Sequence, residues 1–366
     1  MMIREQYHSD LAIPPGEYLE EVISELGMTK NELAKRMNRP PSKLSAIFSG
    51  DKAITPDTAL QLEKVVGVAA HIWTGLEAEY RLVLARQKEQ QELNRLREEG
   101  TLVTKFCYAD LVRMGYVAKK TQPADKVLEL QRFFGVTSLF NIQHLKRYQA
   151  AFRRGLHVKE KYSPEAASTW LRIGELKAQK MDCAPYQKKK LIAILPQIRS
   201  MTKKSPEEFE TDLRFLLSEA GVAFVLLRHL PKTFAHGATF WLNSKKAVLI
   251  LSLRGSWADI FWFSLFHEIG HILLHGSKRV FVESDEKSIN QAFYEEEANR
   301  FASEYLIPKN KYRSFVETGS FSSNDIKRFA ESLDIHPGIV VGRLQHDRYI
   351  KPSWHNNLRT RYKWRM

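Results

Sequence analysis

The N-terminal part of the chain shows a helical spacing of apolar positions, interrupted at short intervals by glycine and proline. Apolar residues recur three or four positions apart, which places them on one face of a helix. Thr29 and Thr55 precede two of these stretches, with Pro56 directly after Thr55, as at helix N-termini. Glu32 follows Thr29 at the spacing of a capping box. The pattern predicts four short helices.

Longer helices are predicted after these. A charged helical pattern runs from Trp73 to Glu99 and ends at Gly100. It is typical of a connector between domains or of a dimerising arm. Residues 104–220 continue the helical pattern, with prolines at the breaks.

The period changes after residue 220. Short runs rich in β-branched and aromatic residues occupy 222–227, 238–242 and 247–253, and a polar turn joins the last two into a hairpin. Helical patterns then return, so the predicted fold class is mainly α with a small β-sheet, an α+β arrangement. We expect 238–242 to be an edge strand that can pair with an extended peptide.

Composition and charge narrow the class of protein. A chain of 366 residues predicts two or three domains. Its apolar runs fall short of the ~20 residues that span a bilayer, and its first ten residues lack the apolar centre of a secretory signal. With two cysteines, Cys107 and Cys183, neither a disulfide framework nor a cysteine-built zinc site is expected. A cytoplasmic protein without membrane contact is therefore expected.

The positive charge is concentrated in the middle of the sequence. The net charge is +14, and residues 101–205 carry 21 lysines and arginines against 7 acidic residues. Such a region can attract nucleic acid or an acidic protein surface, and it can equally be a solvated basic face without a specific partner.

Residues 29–50 have the spacing of a DNA-reading helix-turn-helix. Apolar residues face inward on both helices, and small or basic residues face outward on the second. The predicted DNA contacts are Arg39, Ser42, Lys43, Ser45 and Lys52. The outward face of the second helix lacks Arg, Asn and Gln, so base specificity is expected to be modest or to depend on DNA shape. A plain helical bundle is the alternative.

The segment from Pro14 to Arg86, beginning PPGEYLEEVISELG, resembles helix-turn-helix antitoxins of the HigA/VapI type over some seventy residues. The resemblance implies a repressor of its own operon that binds a double-stranded DNA operator, usually as a homodimer.

A second candidate site lies in the stretch FHEIGHILLHG, residues 266–276. His267 and His271 lie one helical turn apart, so both imidazoles can reach one ion at roughly 2.0–2.1 Å. Glu268 stands where it can take a proton from a water on that ion, the arrangement of zinc hydrolases. Histidines bonded inside a helical core are the alternative.

The site requires a third ligand. His275 is excluded because its rise of about 12 Å along the helix from His267 is too long for one ion. On the helix 294–308, Glu295 lies about 50° from the centre of the apolar stripe and can reach inward. Glu296 and Glu297 are expected to stay in water.

The stretches FWFSLFHEIGHILLHG and EEEANRFASEYLIP resemble the ImmA/IrrE family of metallopeptidases, roughly over residues 220–310. The resemblance implies one Zn²⁺ held by His267, His271 and Glu295, with Glu268 as the general base. Members of this family cleave helix-turn-helix repressors and thereby release stress or mobile-element genes.

Two other features are open to more than one interpretation. His236 or Tyr294 is a candidate to stabilise the oxyanion, although residues of these types more often have an ordinary surface or packing role. The segment 326–345 resembles another helix-turn-helix, but a helical lobe covering the catalytic domain is the favoured interpretation.

These observations predict four segments and one principal function. The segments are a helix-turn-helix DNA-binding domain at 1–75, a connecting helix at 76–100, a basic helical middle region at 101–205 and a zincin-like metallopeptidase domain at 206–366. We expect a DNA-binding regulator fused to a zinc endopeptidase that cleaves a regulatory protein or itself. The alternative is an antitoxin and autorepressor, with a toxin partner and a structural or sensory metal domain.

Overall fold

The computed structural model describes residues 11–149, 151, 162–276, 281–284 and 292–364, and of 281–284 and 292 it describes the backbone alone. The chain forms two compact units, Met1–Glu98 and Glu99–Met366. The division falls inside the long helix predicted to connect domains. The predicted boundary at 205/206 lies within the second unit.

Among the described residues, five helices belong to the first unit. They are α1 (Pro15–Glu25), α2 (Lys30–Arg36), α3 (Pro41–Phe48), α4 (Pro56–Val66) and α5 (Ala70–Gly100), the last of which continues into the second unit. Thr29 caps α2 by accepting the amide of Glu32 at 3.2 Å, as predicted. The carboxylate of Glu32 binds Arg36 at 2.9 Å.

The first unit has a continuous apolar core. Its fully buried side chains include Leu19, Leu33, Leu44, Ile47, Leu62 and Trp73. Gly16 lets α1 approach the backbone of α3, because a Cβ at Gly16 would lie 2.3 Å from the Cα of Phe48. The apolar residues predicted to face inward therefore do so.

The described part of the second unit is mainly helical, with one small sheet. Its helices are α6 (Tyr108–Arg113), α7 (Pro123–Phe134), α8 (Pro164–Gln179), α9 (Lys188–Ser200), α10 (Pro206–Glu219), α11 (Ala258–His275), α12 (Ala292–Leu306), α13 (Lys309–Glu317), α14 (Ser323–Ser332) and α15 (Pro337–His346), with short 3₁₀ helices at Leu139–His144, Met201–Lys203 and Asn356–Leu358. Its strands are β1 (Val222–Leu226), β2 (Ala235–Asn243), β3 (Lys246–Leu251) and β4 (Phe281–Ser284). The predicted fold class is confirmed.

The four strands lie in the order β1-β3-β2-β4. The predicted hairpin of β2 and β3 is present and antiparallel, while β1 runs parallel to β3. The prediction that residues 238–242 form an edge strand is wrong for the first part of that stretch. There Ala238 pairs with Val282 and Thr239 with Phe281 of β4, whose four residues are too few to give a clear pattern.

Helices cover the two faces of the sheet. Thr239 faces α11, whereas Ile250 faces α8, where a Cβ at Gly174 would lie 2.0 Å from the Cδ1 of Ile250. Helix α8 thus packs on the sheet, although it lies in the predicted middle region. Buried Glu175 pairs with Arg147 and, at 2.8 Å, with Arg172.

Helix α11 is central to the second unit. It packs against β2, α12 and α15, and its N-terminal end is joined to the C-terminal segment by the pair of Asp259 and Arg359, which approach to 2.7 Å. This packing of α15 on α11 fits the helical lobe favoured for that segment. Among the described helices, none combines the length and apolar composition that crossing a bilayer requires. Cys107 and Cys183 are free thiols.

Candidate functional site

Three of the buried polar side chains of helix α11 lie close together in its C-terminal half, among apolar neighbours. His267 and His271 are each 1% exposed, and Glu268 is fully buried. Phe266 and Ile269 pack into the core beside them. Because burying a polar or ionised group without a partner is costly, each of the three side chains requires one.

Helix α12 brings Glu295 to the two imidazoles. The Nε2 atoms of His267 and His271 lie 3.0 Å apart. Carboxylate oxygens of Glu295 lie 3.3 Å from the first of these nitrogens and 3.5 Å from the second. The two helices approach closely because Gly270 faces Ala298, where an added Cβ would lie 3.3 Å from the Cα of Ala298.

The geometry of these donor atoms suits one zinc ion. A tetrahedral ion with bonds of about 2.0–2.1 Å separates its ligand atoms by about 3.3–3.4 Å. The observed separations run from 3.0 to 3.5 Å. Two imidazoles and one carboxylate also form the donor set of catalytic zinc sites, which leave a fourth position for water. The structure brings together the three predicted ligands, and His275 lies outside the set.

The far nitrogen of each imidazole has a partner of its own. Nδ1 of His267 lies 2.9 Å from Oδ1 of Asn299, and Nδ1 of His271 lies 2.9 Å from Nδ1 of His275. An amide oxygen only accepts, so His267 carries its proton on Nδ1 and keeps a lone pair on Nε2. Burial, followed by the neighbouring histidines, lowers the pKa of His271 to about 2. His271 is therefore neutral, as a metal ligand must be.

Strand β2 holds Glu268 from the other side. The hydroxyl of Thr239 donates to Oε2 of Glu268. Gly237 leaves room for the carboxylate, because a Cβ there would lie 2.6 Å from Oε1. The sequence did not single out Thr239 or Gly237, since only the packing of β2 on α11 brings them to Glu268.

Glu297 departs from the prediction that it stays in water. Its Oε2 lies 3.1 Å from Nε2 of His275, and its side chain is only 28% exposed. Glu296 is exposed, as predicted. The prediction used only the angle between Glu297 and the apolar stripe of its own helix. It could not include His275, which lies at the end of α11 and reaches the side of α12.

The two oxyanion candidates lie near this site with different neighbours. The ring of Tyr294 packs edge-on against His275, with centroids 4.9 Å apart. Nε2 of His236 lies 3.4 Å from a guanidinium nitrogen of Arg254. Their role in stabilising an oxyanion stays a prediction.

A cavity of about 620 Å³ lies among α11, α12 and α15. Asn299 and His236 line one part of it, and its apolar lining includes Phe263, Leu306 and Ile339. Because Asn299 also contacts His267, the cavity adjoins the candidate metal centre. Its size and apolar lining suit the side chain of a bound peptide.

The helix-turn-helix presents the predicted outward residues to solvent. The exposed side chains are those of Ser42, Lys43, Ser45 and Lys52. Leu44 and Ile47 of the same helix are buried. Arg39 is half-buried, and its Nε donates to Oε1 of Gln61 at 2.7 Å, which ties the turn to α4.

Comparison with known families matches each unit separately. Residues 19–72 match the helix-turn-helix family, and residues 243–344 match the IrrE N-terminal-like domain of the M78 peptidase family. The second match contains the whole of α11 and α12.

Two relatives match a part of the chain of similar length. The chain is 38% identical to virulence-associated protein I of Dichelobacter nodosus over 80 residues, which are 22% of this chain and 74% of that protein. It is 31% identical over 83 residues to the uncharacterised helix-turn-helix-type transcriptional regulator YddM of Escherichia coli strain K12, covering 23% of this chain and 86% of that protein.

A solved structure is also similar in sequence to this part of the chain. It is an addiction module antidote protein of a HigA family from Coxiella burnetii, at 36% identity, covering 23% of this chain and 91% of that one with a TM-score of 0.21. Through residues 19–72 the chain belongs to the helix-turn-helix family of its two relatives, and it also carries an IrrE N-terminal-like domain of the M78 peptidase family.

Proposed function

We propose that the chain is a zinc-dependent endopeptidase joined to a DNA-binding domain, and that it cleaves a regulatory protein or itself. The observation that carries the proposal is the triangle of donor atoms of His267, His271 and Glu295, beside the buried carboxylate of Glu268. A purely structural zinc site has no use for an additional carboxylate that does not bind the ion.

Each residue has a distinct part in peptide hydrolysis. A zinc ion held by His267, His271 and Glu295 would supply Lewis-acid chemistry toward water and the scissile carbonyl. Glu268 accepts a proton from the attacking water and delivers it to the departing amine, while Thr239 keeps its carboxylate in place. The cavity lined by Phe263 and Ile339 accommodates an apolar side chain of the substrate.

The first unit supplies DNA binding in this proposal. Lys43 and Lys52 are exposed beside the small residues of α3, and they provide the positive charge that phosphate contacts need. We propose that the chain binds a double-stranded operator as a homodimer. Binding near regulated genes would concentrate the peptidase close to regulators bound there.

One observation favours a second candidate, an antitoxin and autorepressor whose metal domain is structural or sensory. The alignments of 80 and 83 residues with this chain cover 74% and 86% of the two relatives, one of which is described as a transcriptional regulator. In this candidate DNA binding is the main activity, and the metal stabilises the second unit without hydrolysis.

Metal-dependent cleavage separates the two candidates. Zinc-loaded full-length protein is incubated alone and with each protein encoded beside it, and fragments are identified by gel and mass spectrometry. The peptidase proposal expects a specific fragment that disappears after chelation and returns with zinc. Intact proteins in every mixture, with operator binding retained, would support the antitoxin instead.

Lys43→Ala is expected to weaken DNA binding across sequences and to reduce the salt dependence of binding by about one phosphate contact. The matched control is Lys64→Ala, which removes the same charge from an exposed position of α4. Binding is measured by fluorescence anisotropy over a salt series, and zinc content is measured in parallel. Equal affinity of the Lys43 variant and wild type would remove α3 from the interface.

A further inference from the structure

A chain of hydrogen bonds extends from the candidate metal centre to the protein surface. Nδ1 of His271 contacts Nδ1 of His275 at 2.9 Å, and Nε2 of His275 contacts Oε2 of Glu297 at 3.1 Å. The side chain of His275 is 2% exposed and that of Glu297 is 28% exposed. Only the last member of the chain therefore reaches water.

A metal-bound imidazole nitrogen carries no proton, and this requirement fixes the proton positions along the chain of hydrogen bonds. If Nε2 of His271 binds a metal ion, its one proton lies on Nδ1, which then donates to Nδ1 of His275. His275 must accept at Nδ1, so its own proton lies on Nε2 and is donated to Glu297. A carboxylate is the acceptor that fixes this tautomer most strongly, because charge-assisted hydrogen bonds are the stronger ones.

The two imidazole ligands are consequently held in different ways. Nδ1 of His267 donates to the neutral amide of Asn299. His271 instead has an imidazole and then a carboxylate behind it, so negative charge is transmitted toward its ring. The ring of Tyr294 packs against His275 and restricts its rotation.

We propose that His275 and Glu297 are positioning residues that orient His271, strengthen it as a donor, and thereby set the metal affinity of the site. The proposal rests on the metal site of the proposed function. The proposal assigns a role to His275, which is not one of the three predicted zinc ligands. Groups that hydrogen-bond a metal-ligating histidine typically change metal affinity by about 10–100-fold when they are removed.

The test measures zinc affinity by competition with a chromophoric chelator. Three variants are compared with wild type: His275→Phe, Glu297→Gln and the control Glu296→Gln, which changes the exposed neighbour in the same way. We expect a loss of about 10–100-fold for His275→Phe. A smaller loss is expected for Glu297→Gln, whose amide oxygen still accepts a hydrogen bond, and none for the control.

A second readout separates positioning from a general loss of structure. The d–d absorption bands of the cobalt-loaded protein report the geometry and donor strength at the ion. They are expected to shift in His275→Phe and Glu297→Gln while the far-UV circular dichroism of the metal-free protein is unchanged. If His275→Phe fails to fold, Glu297→Gln decides alone.

The outcomes also distinguish this inference from the proposed function. Tight zinc binding by wild type, with equal affinity and unchanged cobalt spectra in Glu297→Gln and a folded His275→Phe, would overturn the positioning role and leave the metal site standing. Absence of zinc or cobalt binding by wild type would overturn both.

Discussion

Glu268→Gln is expected to lower the rate of metal-dependent peptide cleavage by about 10²–10⁴-fold, the usual contribution of a general base, while zinc remains bound. The amide has the shape of the carboxylate, and its oxygen can still accept the hydrogen bond that the hydroxyl of Thr239 donates. What it cannot do is take a proton from water. The three predicted zinc ligands are unchanged.

The measurement compares the single-turnover cleavage rates of zinc-loaded wild type and Glu268→Gln. The substrate is the protein that gives a specific fragment in the cleavage experiment described above. Glu296→Gln serves as the control, because it makes the same chemical change at an exposed position of α12 and is expected to cleave normally. Cleavage by Glu268→Gln at the wild-type rate would rule out Glu268 as the base. Loss of zinc from that variant would instead identify Glu268 as a ligand or as essential to the site's structure.

The candidate metal centre was largely accessible from the sequence because its geometry is local. His267 and His271 are separated by one turn, so the helix alone fixes the distance between their rings. Glu295 required one further step, the angle between a side chain and the apolar stripe of its helix. The structure places its carboxylate 3.3 Å and 3.5 Å from the two imidazole nitrogens.

The remaining contacts of the site depend on how helices and strands cross, which a single sequence does not specify. Glu297 meets His275 because Gly270 lets α12 approach α11 closely. Thr239 reaches Glu268 only after β2 packs against α11. A helical wheel gives the directions of side chains around one helix, but it does not give the position of the helix or strand that packs against it.

The division into four segments stays a prediction, and charge alone is a weak guide to it. Residues 101–205 stand out by charge, which describes the solvent-facing residues. The packing of α8 on the sheet depends on residues such as Trp170 and Gly174, which are buried. Surface charge and core membership are independent properties, so a change in the first need not mark the edge of a compact unit.

Trp262→Ala is expected to lower the free energy of unfolding of the second unit by about 3–5 kcal/mol, the range for large aromatic residues in a core. Trp262 is fully buried in α11, and its ring lies 4.8 Å from that of Phe209. Its Nε1 also donates to the hydroxyl of Tyr362 at 2.9 Å, so truncation leaves that buried group without this partner. The variant therefore combines a cavity with a lost hydrogen bond.

The loss is measured by urea unfolding, with hydrogen exchange of peptides from β1 to β3 assigning the transition to the second unit. Trp354→Ala is the matched control, since Trp354 is 51% exposed in the same unit and its loss should cost less than about 0.5 kcal/mol. Zinc at 100 times its dissociation constant should restore about 2.7 kcal/mol to the truncated variant, because only the folded site binds the ion. Equal stability of the two alanine variants would contradict the packing described for α11. A folded Trp262→Ala variant that zinc does not stabilise would contradict the coupling of that core to the metal centre.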